Sequence, residues 1–274
     1  MPDLLDVEIA RGVAWVTIDH PPDQLVDADF VGALAAMLPA LEADPAVRVV
    51  VLRSADPDFF LMHGDVHAIL AMPPSDGTPV TAPNPAAALF ERLHRSPLFT
   101  IGMIDGIARG GGAELLAALD YRVASTRTVL GQPEAPMGIL PGAGGSARLP
   151  RMLGRAHALE VILTGRDVPA AEALALGWVD AVTEPDRLAP AVRDLAERVA
   201  GSGAPSIAAV KRVVDASLAG LEAALTAESA AFTMLTDADT HRERMTRFLA
   251  AGGQTRAAER GSIDALLAAM TDDG

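Results

Sequence analysis

The stretch Gly106-Ile107-Ala108-Arg109-Gly110-Gly111-Gly112-Ala113-Glu114-Leu115 decides how this chain folds and where it can hold a ligand. It follows an apolar run that predicts a strand over 98–104, and it leads into a helix. Three consecutive glycines let a ligand approach the main chain, and the first N–H groups of a helix have no intrahelical partner. Such a site favours a developing oxyanion. A second interpretation stays open, in which the glycines only allow a tight helix–strand contact and Glu114 complements the helix dipole.

A second informative segment is Gly131-Gln132-Pro133-Glu134, which continues through an apolar stretch punctuated by proline and glycine up to Gly142. A carboxylate in apolar surroundings loses solvation, which raises its pKa towards the range useful for proton transfer. The alternative is that Glu134 is a loop acid that faces solvent.

Strands and helices alternate around these two segments, which indicates the α/β class. From Ala170 onward the pattern turns helical, and Gly201-Ser202-Gly203 predicts a boundary between an α/β body over 1–200 and a helical region over 201–274. The sequence also predicts a hairpin over 7–19 that turns at Arg11-Gly12, a helix from Asp27 to about Leu41, strands over 47–52 and 121–125, and helices over 85–94, 189–200, 206–218, 221–234 and 242–249.

Composition excludes several classes of protein. The chain has 274 residues with 22 basic and 36 acidic side chains, a formal charge of −14, which argues against a protein that coats nucleic acid. Cysteine is absent, which excludes disulfides, thiolate zinc sites and cysteine nucleophiles. The acidic start predicts no signal peptide, and no apolar run is long enough to predict a membrane span. We therefore expect a soluble, cytoplasmic protein.

Other motifs carry less weight. The chain has no Gly-x-Ser-x-Gly elbow, and its only lysine, Lys211, follows no glycine-rich turn, so a serine hydrolase and a P-loop are not predicted. The glycine-rich run over 142–147 fits a dinucleotide pattern but follows no strand. His63 and His67 stand four residues apart with Asp65 between them, but the segment offers no third metal ligand, so we prefer a loop with polar side chains to a metal site.

Taken together, these segments resemble the crotonase family, also called the enoyl-CoA hydratase/isomerase superfamily. The resemblance covers nearly the whole chain in the right order. The matching segments are His20-Pro21-Pro22, the strand over 47–52, Gly64-Asp65-Val66, the glycine and glutamate motif over 106–115, Gly-Gln-Pro-Glu over 131–134, Pro-Gly-Ala-Gly-Gly over 141–145, and the runs over 163–166 and 170–178.

The resemblance implies a fold, a ligand and a site. The fold is a spiral of ββα turns with a helical C-terminal region that builds homotrimers, often paired into hexamers. The ligand is an acyl-CoA thioester, with no metal or redox cofactor, and the thioester oxygen is held by the backbone N–H groups of Met62 and Gly111. The implied substrate-binding residues are Leu61, His63, Gly64, Asp65, Gly110, Pro133 and Gly142, and the segments over 68–84 and 135–140 are expected to line the acyl tunnel.

Two acids favour one reaction of this family. Hydrating members are similar in carrying glutamates at the positions of Glu114 and Glu134, whereas isomerases generally keep only the second. The pair therefore predicts an enoyl-CoA hydratase that adds water across a trans-2-enoyl-CoA. Double-bond isomerisation, thioester hydrolysis and a non-catalytic CoA-ester binder stay open as alternatives.

The sequence departs from the family pattern in three places. Met62 and His63 replace the small Ala-Gly pair of the first oxyanion loop. Either both side chains point away from the site, or His63 narrows the site or takes part in a different reaction. Asp23-Gln24-Leu25 stands where Asn-Ala-Leu is common, which we interpret as a loop variation. The C-terminal lysine that often meets the CoA phosphates is missing, and Arg256 is predicted as its weak substitute.

Overall fold

The computed structural model describes residues 4–71, 82–219, 246–247 and 250–251. Contacts within the chain define one compact unit over 1–200 and a second over 201–274. In the first unit the elements are β1 (Leu5–Ala10), β2 (Val13–Ile18), α1 (Ala28–Ala43), β3 (Val49–Ser54), β4 (Phe59–Leu61), α2 (Val66–Leu70), α3 (Pro85–His94), β5 (Phe99–Ile104), β6 (Ile107–Arg109), α4 (Gly111–Ala118), β7 (Tyr121–Ser125), β8 (Val129–Gly131), α5 (Gly145–Leu153), α6 (Arg155–Thr164), β9 (Asp167–Pro169), α7 (Ala170–Leu176), β10 (Ala181–Thr183) and α8 (Pro185–Ala200). In the second unit α9 spans Ala204–Ala219.

The strands of the first unit form two sheets. A six-stranded sheet has the order β1-β2-β3-β5-β7-β10, in which only the β1–β2 hairpin is antiparallel. A four-stranded sheet has the order β4-β6-β8-β9, with β9 antiparallel to β8. The parallel pairs need crossover connections, and helices supply several of them, which is why strands and helices alternate along the chain.

Alternate residues of the larger sheet face two apolar layers. In β2, Val13 and Trp15 pack with the buried face of α8, whereas Ala14, Val16 and Ile18 join the main core. Side chains of a strand point alternately to opposite faces, so a sheet covered on both sides is apolar throughout. The main core extends to the smaller sheet and to α1, α3 and α4.

The mixed α/β prediction is confirmed, and most predicted elements match. Asp27 caps α1 by accepting a hydrogen bond from the Phe30 N–H at 2.9 Å, as its position predicts. The helix predicted over 221–234, most of that over 242–249, residues 72–81 of the predicted tunnel loop and Arg256 lie outside the described residues. Among the described residues, no helix is both long and apolar enough to cross a membrane.

Candidate active site

The glycine run forms the N-terminus of α4 and packs on the main chain of a neighbouring loop. An added Cβ at Gly112 would lie 2.0 Å from the Leu61 carbonyl oxygen, and the Gly112 N–H donates to the Met62 carbonyl at 2.9 Å. Gly110 has a φ of 52°, a region that favours glycine. The Gly111 N–H has no acceptor among the described residues. The glycines thus permit close packing, and the Gly111 N–H at the start of the helix keeps its hydrogen-bonding capacity unused among the described residues.

Glu114 is buried in the first turn of α4, with 3% of its surface exposed. Its Oε1 accepts hydrogen bonds from the N–H groups of Ala143 (2.7 Å) and Gly145 (2.8 Å). Burial raises the pKa of Glu114, and the backbone N–H groups oppose that rise. The side chain therefore connects α4 to the 143–145 segment, and it is not a solvated partner of the helix dipole.

Glu134 is also buried, with 6% exposed, and the structure excludes the solvent-facing loop acid. Its Oε2 has no hydrogen-bond partner among the described residues. Burial, together with the negative charge of Glu114, raises the pKa of Glu134 to about 7. The two carboxyl groups, twenty residues apart in sequence, therefore act on each other in one site.

Gly110 lies between the acid and the first loop. A Cβ at this position would lie 2.5 Å from Glu134 Oε1 and 2.7 Å from His63 Cβ. The backbone and Cβ of His63 therefore pack against Gly110. Its Nδ1 lies 2.9 Å from the Gly64 carbonyl oxygen, and because a carbonyl only accepts, Nδ1 carries the proton of this bond.

The amide predicted as the first oxyanion donor is engaged in this structure. The Met62 N–H donates to the Gln24 carbonyl at 2.7 Å, and the next carbonyl, of His63, accepts from the Val26 N–H at 3.1 Å. Of the two predicted donors, the Met62 N–H is hydrogen-bonded within the protein, and the Gly111 N–H has no acceptor among the described residues.

Gln24 is a buried polar residue whose burial the sequence did not predict. It lies in the turn between β2 and α1, as a loop variation would, but it is 1% exposed and has a φ of 51°. Its side-chain amide donates to the Ile18 carbonyl (3.1 Å) and to Ser54 Oγ (2.6 Å), while its Oε1 accepts from the His20 N–H. A polar residue between prolines and a helix cap gave no local signal of this burial.

Gln132 was also missed as a functional side chain. It is fully buried, and neither atom of its amide has a hydrogen-bond partner among the described residues. A buried amide without partners is costly, and such groups occur preferentially where a ligand or water completes the bonding. Its position two residues before Glu134 was the available signal.

The other residues that the sequence predicts to bind substrate contact parts of the protein itself. Leu61 is fully buried in the main core, and Asp65 caps α2 by accepting from the His67 N–H at 2.8 Å. Gly64 forms an isolated bridge with Val26, Pro133 packs near Gly165, and the carbonyl of Gly142 accepts from the Asn84 side chain at 2.8 Å. Within the part of the chain that is described, no three His, Asp or Glu side chains group as a metal site.

Comparisons with known proteins identify the family and the fold. A model of the family described as enoyl-CoA hydratase/isomerase matches residues 8–254. An enoyl-CoA hydratase from Bacillus anthracis is similar in structure, with 27% identity, a TM-score of 0.83 and coverage of 89% of this chain and 95% of that chain. A putative enoyl-CoA hydratase from Streptomyces avermitilis has 33% identity, a TM-score of 0.69 and coverage of 97% and 98%. An enoyl-CoA hydratase/isomerase from Cupriavidus metallidurans CH34 has 25% identity, a TM-score of 0.82 and coverage of 90% and 94%.

Proposed function

Because the chain belongs to the enoyl-CoA hydratase/isomerase family, whose enzymes act on acyl-CoA thioesters, we propose that it adds water across the 2,3 double bond of a trans-2-enoyl-CoA. The observation that carries this proposal is the buried pair of carboxyl groups. Glu114 is held by two backbone N–H groups, and Glu134 has a free oxygen and a pKa raised to about 7 by burial.

The two acids differ in a way that suits the two proton transfers of hydration. The N–H groups on Glu114 Oε1 stabilise its carboxylate and oppose the effect of burial, so we assign to Glu114 the proton of the attacking water as the oxygen adds to C3. Glu134 is protonated in a substantial fraction at neutral pH, so it delivers a proton to C2. A neutral water adds overall without a change of redox state, and this route calls for neither a metal nor a redox cofactor.

The negative charge that develops on the thioester oxygen needs a donor. The open Gly111 N–H at the start of α4 supplies one, and the loss of one such donor typically costs about 100- to 1000-fold in rate. The Met62 N–H supplies the second only when its bond to the Gln24 carbonyl is released. Substrate binding in this proposal therefore separates the 62–64 loop from Gln24.

Apolar surface beside the acid suits an acyl chain. The segment after Glu134 exposes Met137 (51%), Ile139 (45%) and Leu140 (61%), which is unusual for large apolar side chains unless a ligand or partner covers them. We assign the acyl chain to this segment. The homotrimer, or dimer of trimers, built by the 201–274 unit and the cytoplasmic location stay predictions.

A double-bond isomerase is the second candidate. One acid suffices to move a proton between C2 and C4, and Glu134 alone combines a free oxygen with a pKa near neutrality.

The deciding experiment uses purified protein with trans-2- and trans-3-enoyl-CoA esters of short and medium chain length. Loss of the conjugated thioester absorbance reports hydration, and its appearance from the trans-3 ester reports isomerisation. We expect Glu114→Gln and Glu134→Gln each to reduce hydration about 100- to 10,000-fold, while Glu197→Gln, an exposed ion-pair partner of Arg11, keeps wild-type rates. Activity on the trans-3 ester that survives Glu114→Gln but not Glu134→Gln would establish the isomerase. CoA esters that bind without turnover would establish a silent binder.

A further inference from the structure

Arg109, Gly131 and Asp167 lie in one row across the smaller sheet. Arg109 is the last residue of β6 and pairs with Gly131, the last residue of β8, which in turn pairs with Asp167, the first residue of β9. The row thus crosses three strands of one sheet and joins residues that are 58 positions apart in sequence.

The Arg109 side chain crosses the middle strand and binds Asp167 through two of its three nitrogens. Arg109 Nε donates to Asp167 Oδ1 at 2.8 Å and Nη2 donates to Oδ2 at 2.6 Å. A Cβ at Gly131 would lie 3.3 Å from Asp167 Oδ1 and 3.5 Å from Arg109 Cγ, so the glycine leaves the room for this crossing. A bidentate pair fixes direction as well as distance, and its partial exposure makes it a weak source of overall stability.

Both site segments start at this row. Gly110 and Gly111, with the open amide, follow Arg109 directly, and Glu134 comes three residues after Gly131. The Gly110 N–H donates to the Gly131 carbonyl at 2.9 Å, so the two segments separate only beyond this bond.

The residues that lead into β9 pack against the segment that contains Glu134. A Cβ at Gly165 would lie 2.7 Å from Pro136 Cγ and 3.3 Å from Pro133 Cα, so the approach to β9 packs on this segment. Arg166 forks between Glu160 and Glu172, with hydrogen bonds of 2.6 Å to each. These contacts fix the start of β9, and with it the position of Asp167 relative to Arg109.

We propose that Arg109 is a positioning residue, whose bidentate bond to Asp167 fixes the separation between the Gly111 amide and the Glu134 carboxyl group. This inference rests on the proposed function, in which the Gly111 N–H donates to the thioester oxygen while Glu134 delivers a proton to C2. A displacement of about 1 Å can cost about 100-fold in rate. Loss of the Arg109–Asp167 bond should therefore lower kcat without lowering the affinity for the CoA ester.

The test compares Arg109→Met, Asp167→Asn and the double variant with Arg127→Met. Arg127 makes a similar two-nitrogen bond to Asp105, with its Nε at 3.2 Å and its Nη2 at 2.5 Å, which makes it a matched control. We expect each single variant to lower kcat on a trans-2-enoyl-CoA about tenfold with KM within about threefold, and the double variant to be no slower than either. Arg127→Met should stay within about twofold of wild type.

Three outcomes would overturn the proposal: an unchanged kcat in Arg109→Met, single effects that multiply in the double variant, or a KM that rises as much as kcat falls. Should Arg109→Met not fold, Arg109→Lys, which keeps the charge but not the two-nitrogen grip, takes its place. If the wild type shows no turnover, the proposed function fails while the positioning role stays testable by hydrogen–deuterium exchange. Faster exchange in segments 106–115 and 131–140 of Arg109→Met, but not of Arg127→Met, supports the role, and equal exchange refutes it.

Discussion

Replacing Glu134 with glutamine should stabilise the protein in alkaline solution and have no such benefit in acid. Burial, together with the charge of Glu114, raises the pKa of this carboxyl group from 4.5 to about 7. The folded state thus holds the proton more tightly than the unfolded chain. The contribution of Glu134 to stability is therefore fully present below about pH 4.5 and is lost as the pH rises through about 7.

The size of the effect follows from the shift. Each pKa unit corresponds to about 1.4 kcal/mol, so ionising the buried Glu134 lowers the free energy of unfolding by about 3 kcal/mol above pH 8. Glutamine carries no charge at any pH. The difference in unfolding free energy between Glu134→Gln and wild type should therefore rise by about 3 kcal/mol from pH 4 to pH 8.5, and a constant offset from the new amide drops out.

The assay is urea unfolding at four pH values between 4 and 8.5, followed by the fluorescence of the two tryptophans and analysed from the midpoint and slope. Glu160→Gln is a control of opposite sign, because the hydrogen bond from Arg166 lowers the pKa of Glu160. Its stabilisation is present at neutral pH and lost in acid, so its difference from wild type should change in the other direction. Stability curves for Glu134→Gln and wild type that run parallel would refute the burial of Glu134.

Three further substitutions test the packing around the site. Gly110→Ala should reduce enoyl-CoA turnover about 100-fold, because its Cβ would lie 2.5 Å from Glu134 Oε1. Steady-state kinetics would check this, with Gly32→Ala as the control because a Cβ at Gly32 meets nothing within 4 Å. Equal activities of the two variants would contradict the prediction. His63→Gly should change the ratio of kcat/KM between short and medium acyl chains, since His63 packs against position 110, and an unchanged ratio would discard a special role for it. Gly112→Ala should prevent folding, because its Cβ would lie 2.0 Å from a backbone carbonyl oxygen of β4; recovery of soluble protein with a wild-type circular dichroism spectrum would show that this contact relaxes.

Much of the site could be predicted from the sequence, because the need for the glycines and the burial of Glu134 both depend on residues that are close in the chain. The run over 110–112 is needed where a helix begins against another main chain, and the apolar residues around Glu134 predict its desolvation. What could not be found this way is the burial of Gln24, which we interpreted from the sequence as a loop variation. Its burial depends on β2, β3 and the 62–64 loop, and no residue next to it in sequence carries that information.

The sequence by itself determined the alternation of strands and helices, the family resemblance and the identity of the two acids, because periodicity, capping and glycine motifs act over a few residues. Only the tertiary structure decided that Glu134 keeps a free oxygen at a pKa of about 7, that the Met62 amide is covered, and that Arg109 reaches Asp167. Each of these depends on the direction of a peptide group or a carboxylate relative to a partner distant in the chain. Such directions are set when the sheets pack, and hydrogen bonds and desolvation respond to them over tenths of an ångström.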